Sequence, residues 1–302
     1  MRILSHLSNK QKIMKSILYI IVCTFITATS CSSTNQAVNV SESQNILPQT
    51  VEKNIAYGDN PQQIYDLYLP KGRNETTTKT LVIIHGGSWI GGSKEGINFM
   101  FEGLQKYLPE YAVVNMNYRL ANGSDIKAFP NQLEDIQSLL NHLKSKKKDL
   151  EINGDVTLVG LSSGAHIAAL YAIKINQDSQ VKAVVNIVGP TDFTDPYYRD
   201  NSNFQVFLDK LIDKNNYENG SDVPMALSPA QQVNTYTPPM INFYGNTDQL
   251  VALSQLERLE DGLKANNIPY ESTIYDGGHA NWNAEQYKDL LTKTKAFLEQ
   301  HF

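Results

Sequence analysis

Short apolar runs spaced by amphipathic segments constrain this chain more than any other feature. Residues 80–84, 112–116, 156–159, 181–188 and 240–243 are short and mostly apolar, and 63–69 alternates with period two before Pro70. Runs of this length suit strands buried on both faces of a parallel sheet. Between them, residues 99–107, 132–143, 165–175, 250–264 and 284–302 repeat their apolar positions at helical spacing. Strand alternating with helix predicts an α/β domain: a mostly parallel central sheet flanked by helices, over residues 51–302. The chain is 41% hydrophobic, enough for the large core this requires. One region breaks the rhythm. Residues 191–239 separate two strand runs and carry Tyr197, Tyr198, Phe204, Phe207 and Tyr217. Connections that long are often functional, so the segment reads either as a small lid-like, substrate-facing insertion or as a peripheral helical excursion.

The N-terminus has a different character. Lys15 precedes an apolar run that passes through Ala28-Thr29-Ser30 to Cys31, the pattern of a secretory signal rather than of a membrane span. Cys31 sits where a bacterial lipoprotein is cleaved and lipidated, although Ala28 stands where leucine is usual. Met14-Lys15 makes a natural start, with the preceding residues as an upstream extension. The expectation is a signal segment over 1–31, lipidation at Cys31, and a polar tether over 32–50. The mature protein would then be exported, anchored at the periplasmic or outer cell surface, or else secreted. Membrane contact would come only through the lipid.

The two cysteines, Cys23 and Cys31, both lie in this leader, so neither a disulfide framework nor a cysteine metal site is expected in the domain. A net charge of −5 argues against a nucleic-acid partner. The lysine-rich run from Lys144 to Lys148 reads as the solvated last turn of a helix. Gly91-Gly92-Ser93-Lys94 lacks the spacing of a phosphate loop.

The chemistry gathers around Gly160-Leu161-Ser162-Ser163-Gly164, which follows a strand run and opens a helix. Such a turn holds its central serine out on a strained backbone, and the glycines remove side chains that would collide. Ser162 is therefore the candidate nucleophile; Ser163 in that role would lack the paired glycines. A serine needs a base, and the base an orienting acid. Among six histidines, His279 sits in a glycine-rich loop between an apparent last strand and the last helix, where it can reach over the sheet edge. His85 precedes the serine, His142 lies on a charged helix, His166 faces structure, and His6 and His301 are terminal. The acid belongs between serine and histidine in chain order. Asp248 follows a buried strand and fits; Asp192 reads as loop structure, and Asp276 lies too near His279. His85-Gly86-Gly87-Ser88-Trp89 follows an early strand, and its glycines can turn backbone N–H groups toward a bound oxygen. Gly86, Gly87 and Ser163 are thus the candidate oxyanion donors, each such donor being worth about 10²–10³ in rate.

Seven segments together resemble a known family: H-G-G-S-W (85–89), N-Y-R-L (117–120), F-P-N-Q-L-E-D (129–135), G-L-S-S-G-A-H (160–166), G-P-T-D-F (189–193), Y-G-N-T-D (244–248) and G-G-H (277–279). They are similar to the α/β-hydrolase esterases, in particular the hormone-sensitive-lipase-like group and its feruloyl/acetyl esterase (BD-FAE-like) relatives. The likeness spans nearly everything after the tether. It implies an α/β-hydrolase fold and a serine carboxylesterase without metal or cofactor, with Ser162, Asp248 and His279 at the triad positions. Two residues depart from the pattern: Ser88 replaces a third glycine, and Ser163 follows the nucleophile in place of alanine or glycine. Neither change removes a backbone donor. The expected substrates are acetyl or feruloyl esters, small or polysaccharide-linked. An arylformamidase-like amide hydrolase and a non-catalytic surface binder on the same scaffold are the alternatives.

Overall fold

Eight strands form one sheet in the order β1-β2-β4-β3-β5-β6-β7-β8. The structure, a computed structural model, describes residues 46–176 and 178–302; the expected signal segment, most of the tether and Cys31 lie outside the described residues. β1 (Thr50–Ala56), β2 (Ile64–Leu69) and β4 (Ala112–Met116) pair antiparallel at one edge. β4 also pairs parallel with β3 (Thr80–Ile84), and β3, β5 (Val156–Leu161), β6 (Val181–Ile187), β7 (Met240–Gly245) and β8 (Tyr270–Tyr275) continue the parallel run. The sheet is therefore mixed and mostly parallel, the expected α/β-hydrolase architecture.

Alternation along each strand sorts the core into two layers. Leu81 and Ile83 pack with Met100 and Leu104 of α1 (Asn98–Tyr107), while Val82 and Ile84 join Leu139 and Leu140 of α2 (Asn131–Leu150) and Leu170 of α3 (Ser163–Lys174). Each such fully buried aliphatic side chain contributes about 1.5–3 kcal/mol. The register matters most for function. Ile84 pairs with Gly160, Leu161 with Ile187, Ile187 with Phe243, and Gly245 with Tyr275. The loops leaving β3, β5, β7 and β8 consequently emerge side by side at the carboxyl edge of the sheet, where such folds collect their sites.

Residues 191–239 fold as short helices rather than sheet: α4 (Pro196–Arg199), α5 (Ser202–Leu211), α6 (Val223–Ala226) and α7 (Pro229–Gln232). Asp195, Asn201 and Asp222 cap three of them through side-chain oxygens, and Pro196, Pro224 and Pro229 occupy first-turn positions where a missing N–H costs nothing. The start of the segment is fastened to α8 (Ser254–Ala265). Gln255 Oε1 accepts the amides of Thr191 and Asp192 at 2.7 Å each, and Arg258 pairs with Asp192 at 2.9 Å. Asp192 is thus loop structure, as expected. A capping box of Asn283 and Gln286 fixes the start of α9 (Ala284–His301), and with it the end of the preceding loop.

Candidate active site

The bend after β5 is locked by backbone alone. Ser162 has φ 54° and ψ −123°, a region that side-chain-bearing residues rarely adopt. Its N–H donates to Ile187 O at 2.8 Å, and its carbonyl accepts the His166 amide at 3.1 Å. A Cβ on Gly160 would run into the backbone of Ala165, and one on Gly164 into the carbonyls of Ile84 and His85. These are the collisions the glycines avoid. Ser163 is buried within the helix, so Ser162 is the serine the bend presents.

Two further loops interlock to bring their side chains to it. Asn246 N donates to Tyr275 O and Thr247 N to Gly277 O, both at 2.9 Å, while Gly277 N donates to Asn246 Oδ1 at 3.0 Å. Across this frame His279 Nδ1 lies 2.7 Å from Asp248 Oδ2, and His279 Nε2 lies 2.8 Å from Ser162 Oγ. The other Asp248 oxygen accepts the amides of Leu250 and Val251 at 2.8 and 3.0 Å. Burial would push this carboxyl up, but the hydrogen bonds from His279 and those two amides outweigh it and hold the group below its ordinary value. An ionised Asp248 fixes the hydrogen on Nδ1, which leaves Nε2 as a lone pair facing the Ser162 hydroxyl. Asp276, the rival acid, instead accepts from Asn246 Nδ2 at 3.1 Å. Among the other histidines, His85 Nδ1 lies 2.7 Å from Gly86 O, and His142 packs edge-on against Tyr65.

Gly86, Gly87 and Ser163 line a cavity of about 530 Å³ together with Ser162 and His279. Among the described residues, none of these three amides donates to another backbone group. Ser88, where the resembled family has glycine, takes φ 52°, and Trp89 beside it takes φ 64°. Non-glycine residues there cost roughly 1–2 kcal/mol each. The insertion contributes Tyr198, Phe204 and Phe207 to a cavity wall that also includes Trp89, Leu250 and Val251. Tyr197 instead donates to Gln249 O at 2.6 Å, beside the Asp248 loop, and Tyr217 lines a separate cavity. Pairing of His166 with Trp89 is a feature the sequence did not reveal beyond the A-H that ends the serine motif. No cluster of three or more His, Cys, Asp or Glu that could hold a metal occurs among the described residues.

The described region has known counterparts. Esterase LipC of Mycobacterium tuberculosis is 23% identical over 228 residues, covering 70% of this chain and 55% of its own length. The chain spans about half the length of the curated relatives it matches. A truncated carbohydrate esterase from gut microbiota superposes with a TM-score of 0.64 at 19% identity, covering 82% of this chain and 95% of its own. A bifunctional GH43-CE protein of Bacteroides eggerthii gives 0.65 at 22% identity, over 80% of this chain and 37% of its own. Both structural likenesses carry the fold. The BD-FAE family model matches residues 65–263, well over half of the sequence and inclusive of Ser162 and Asp248, and the chain belongs to that family.

Proposed function

We propose that this protein is a serine carboxylesterase that hydrolyses acetyl or feruloyl esters, carried on small alcohols or on polysaccharide. The observation that carries the reading is the His279 imidazole bridging Ser162 Oγ at 2.8 Å and Asp248 Oδ2 at 2.7 Å. In the proposed reaction, Ser162 Oγ bonds to the ester carbonyl carbon as His279 Nε2 takes its proton. The carbonyl electron pair moves onto oxygen, where the Gly86, Gly87 and Ser163 amides receive it. The carbon–oxygen bond to the alcohol then breaks, and the imidazolium returns the proton to the departing oxygen. Asp248 stabilises the imidazolium throughout. Water repeats the sequence on the acyl-serine and releases the acid. The aromatic wall formed by Trp89, Tyr198, Phe204 and Phe207 suits a flat apolar acyl group, and a smaller acetyl group also fits. Carbohydrate esterases among the fold's counterparts support a sugar-linked alcohol.

Substituting Ser162→Ala should abolish turnover of p-nitrophenyl acetate while leaving the melting transition in place; persistent hydrolysis would assign the reaction to another residue. A panel of acetyl, feruloyl and longer-chain esters on purified protein separates the acyl classes. The proposal extends to location. The apolar run ending at Cys31 supports export and lipid anchoring. Cys31→Ser should move the protein from the membrane fraction to the soluble one; unchanged fractionation would count against the anchor.

A further inference from the structure

Trp89 lies two residues beyond Gly87 and forms part of the cavity wall. With Ser88 it makes two successive non-glycine residues at positive φ, a conformation that persists only when the surroundings impose it. On the backbone side, Trp89 O accepts from Gln132 Nε2 at 2.8 Å and from the Ala121 amide at 3.0 Å. On the side-chain side, the indole Nε1 donates to His166 Nδ1 at 3.3 Å. His166 stands four residues after Ser162 on α3 and is fully buried, with its ring against Phe193 at 4.7 Å and Phe129 at 5.5 Å. Its Nε2 lies 2.8 Å from Leu227 O. A carbonyl only accepts, so Nε2 carries the hydrogen and Nδ1 is left as the acceptor the indole requires. One neutral tautomer satisfies both bonds, whereas an imidazolium would set N–H against N–H. Burial pushes the imidazole down to about 4, which keeps it neutral near pH 7.

We infer that His166 is a positioning residue for the proposed ester hydrolysis: it holds Trp89, and through Trp89 the Gly86 and Gly87 amides, while tying the cavity-forming insertion to the helix that follows Ser162. The inference rests on the esterase reading. An oxyanion hole works only when its donors stand about 2.7–3.1 Å from the developing charge. Releasing the indole lets a strained loop relax away from that geometry. The loss should fall on kcat, because the amides act on the transition state more than on the bound ester.

The test compares three single variants and the His166→Phe/Trp89→Phe double variant on p-nitrophenyl acetate, with thermal melts to report folding. His166→Phe keeps a ring of similar size but offers neither donor nor acceptor. His166→Gln restores one of each. Trp89→Phe keeps an aromatic ring and deletes the N–H. His166→Phe and Trp89→Phe should each lower kcat by about tenfold or more, with KM within about twofold. The double variant should be no worse than either single, and His166→Gln should recover most of the rate. If His166→Phe does not fold, Trp89→Phe decides alone. An unchanged kcat in folded Trp89→Phe, or losses that multiply in the double variant, overturns the inference. Wild-type protein without ester turnover overturns the esterase reading and this inference together. Active wild type with unaltered variants overturns this inference only.

Discussion

Two strained turns face each other across the site, and they are held in opposite ways. At the serine bend, Ser162 sits at φ 54° because Gly160 and Gly164 let β3, β5 and α3 close around it, and its backbone bonds run to Ile187 and His166. At the loop running from Gly86 to Gly92, Gly87 and Gly92 do similar work, since a Cβ on either would strike the loop's own backbone. Yet Ser88 and Trp89 carry side chains at positive φ, and distant groups restrain them: Gln132, Ala121 and His166. Strain enforced by missing side chains is written into a short motif. Strain enforced by hydrogen bonds from remote residues is spread over the chain, and it depends on the protonation state of one of them.

The largest effect should come from breaking the first kind of support. Gly164→Ala places a methyl group against the carbonyls of Ile84 and His85, two backbone atoms that cannot swing aside. Overpacking usually costs about 1–3 kcal/mol, and rigid neighbours put this site at the upper end or beyond. The melting temperature should fall by roughly 6–12 °C, at about 2–4 °C per kcal/mol, and activity should fall further still because Ser162 moves with the bend. A variant with native melting and native kcat would show that the glycine is not what holds this turn.

Acid should attack only the second kind of support. His166 is pushed down to about 4 from an ordinary value of 6.5. Between those values the unfolded chain binds a proton that the folded protein refuses, so stability is full above pH 6.5 and declines as pH falls toward 4. The loss over this window amounts to about 3 kcal/mol at most, at roughly 1.4 kcal/mol per pH unit for one proton. Burial pushes His85 and His142 down as well, so the whole slope does not belong to His166. The buried carboxylates held low, Asp248 and Asp192 among them, lose their contribution at lower pH, below their ordinary value. Denaturant unfolding of wild type and His166→Gln from pH 7 to 4 isolates the difference. Parallel curves would mean that the imidazole takes up its proton without cost.

How much of this was legible in the sequence follows the same division. The strands over 80–84 and 112–116 match their runs residue for residue, since both faces are buried and nearly every position is apolar. β1 gave no such signal: Thr50–Ala56 is mostly exposed at the sheet edge and bears Glu52 and Lys53. Helical spacing begins at Leu250, but α8 starts only at Ser254, because the Leu250 and Val251 amides turn aside to bind Asp248. There a tertiary hydrogen bond overrides a periodic pattern. Ser162, Asp248 and His279 were readable one at a time because each follows a strand of the same sheet; register sets their loops side by side, and the hydrogen bonds between the loops do the rest. His166 could be read as facing structure. Its partner Trp89, 77 residues away, could not, since nothing in either neighbourhood points to the other.

The smallest effect offers the sharpest separation of the two supports. Ser88 is exposed and its amide stays in place when its side chain is removed, so Ser88→Gly changes little except the strain at φ 52°. Relief of roughly 1–2 kcal/mol is offset by about 0.5–1 kcal/mol of extra freedom gained by the unfolded chain. A net gain of at most about 1.5 kcal/mol should appear as a rise of a few degrees in melting temperature, with kcat within about twofold. If restraint by Gln132 and His166 is what fixes the loop, removing the strain leaves it fixed and the rate barely moves. A large fall in kcat with a rise in stability would instead mean that the serine's limited freedom holds the amides in place, and that the remote hydrogen bonds follow the loop rather than set it.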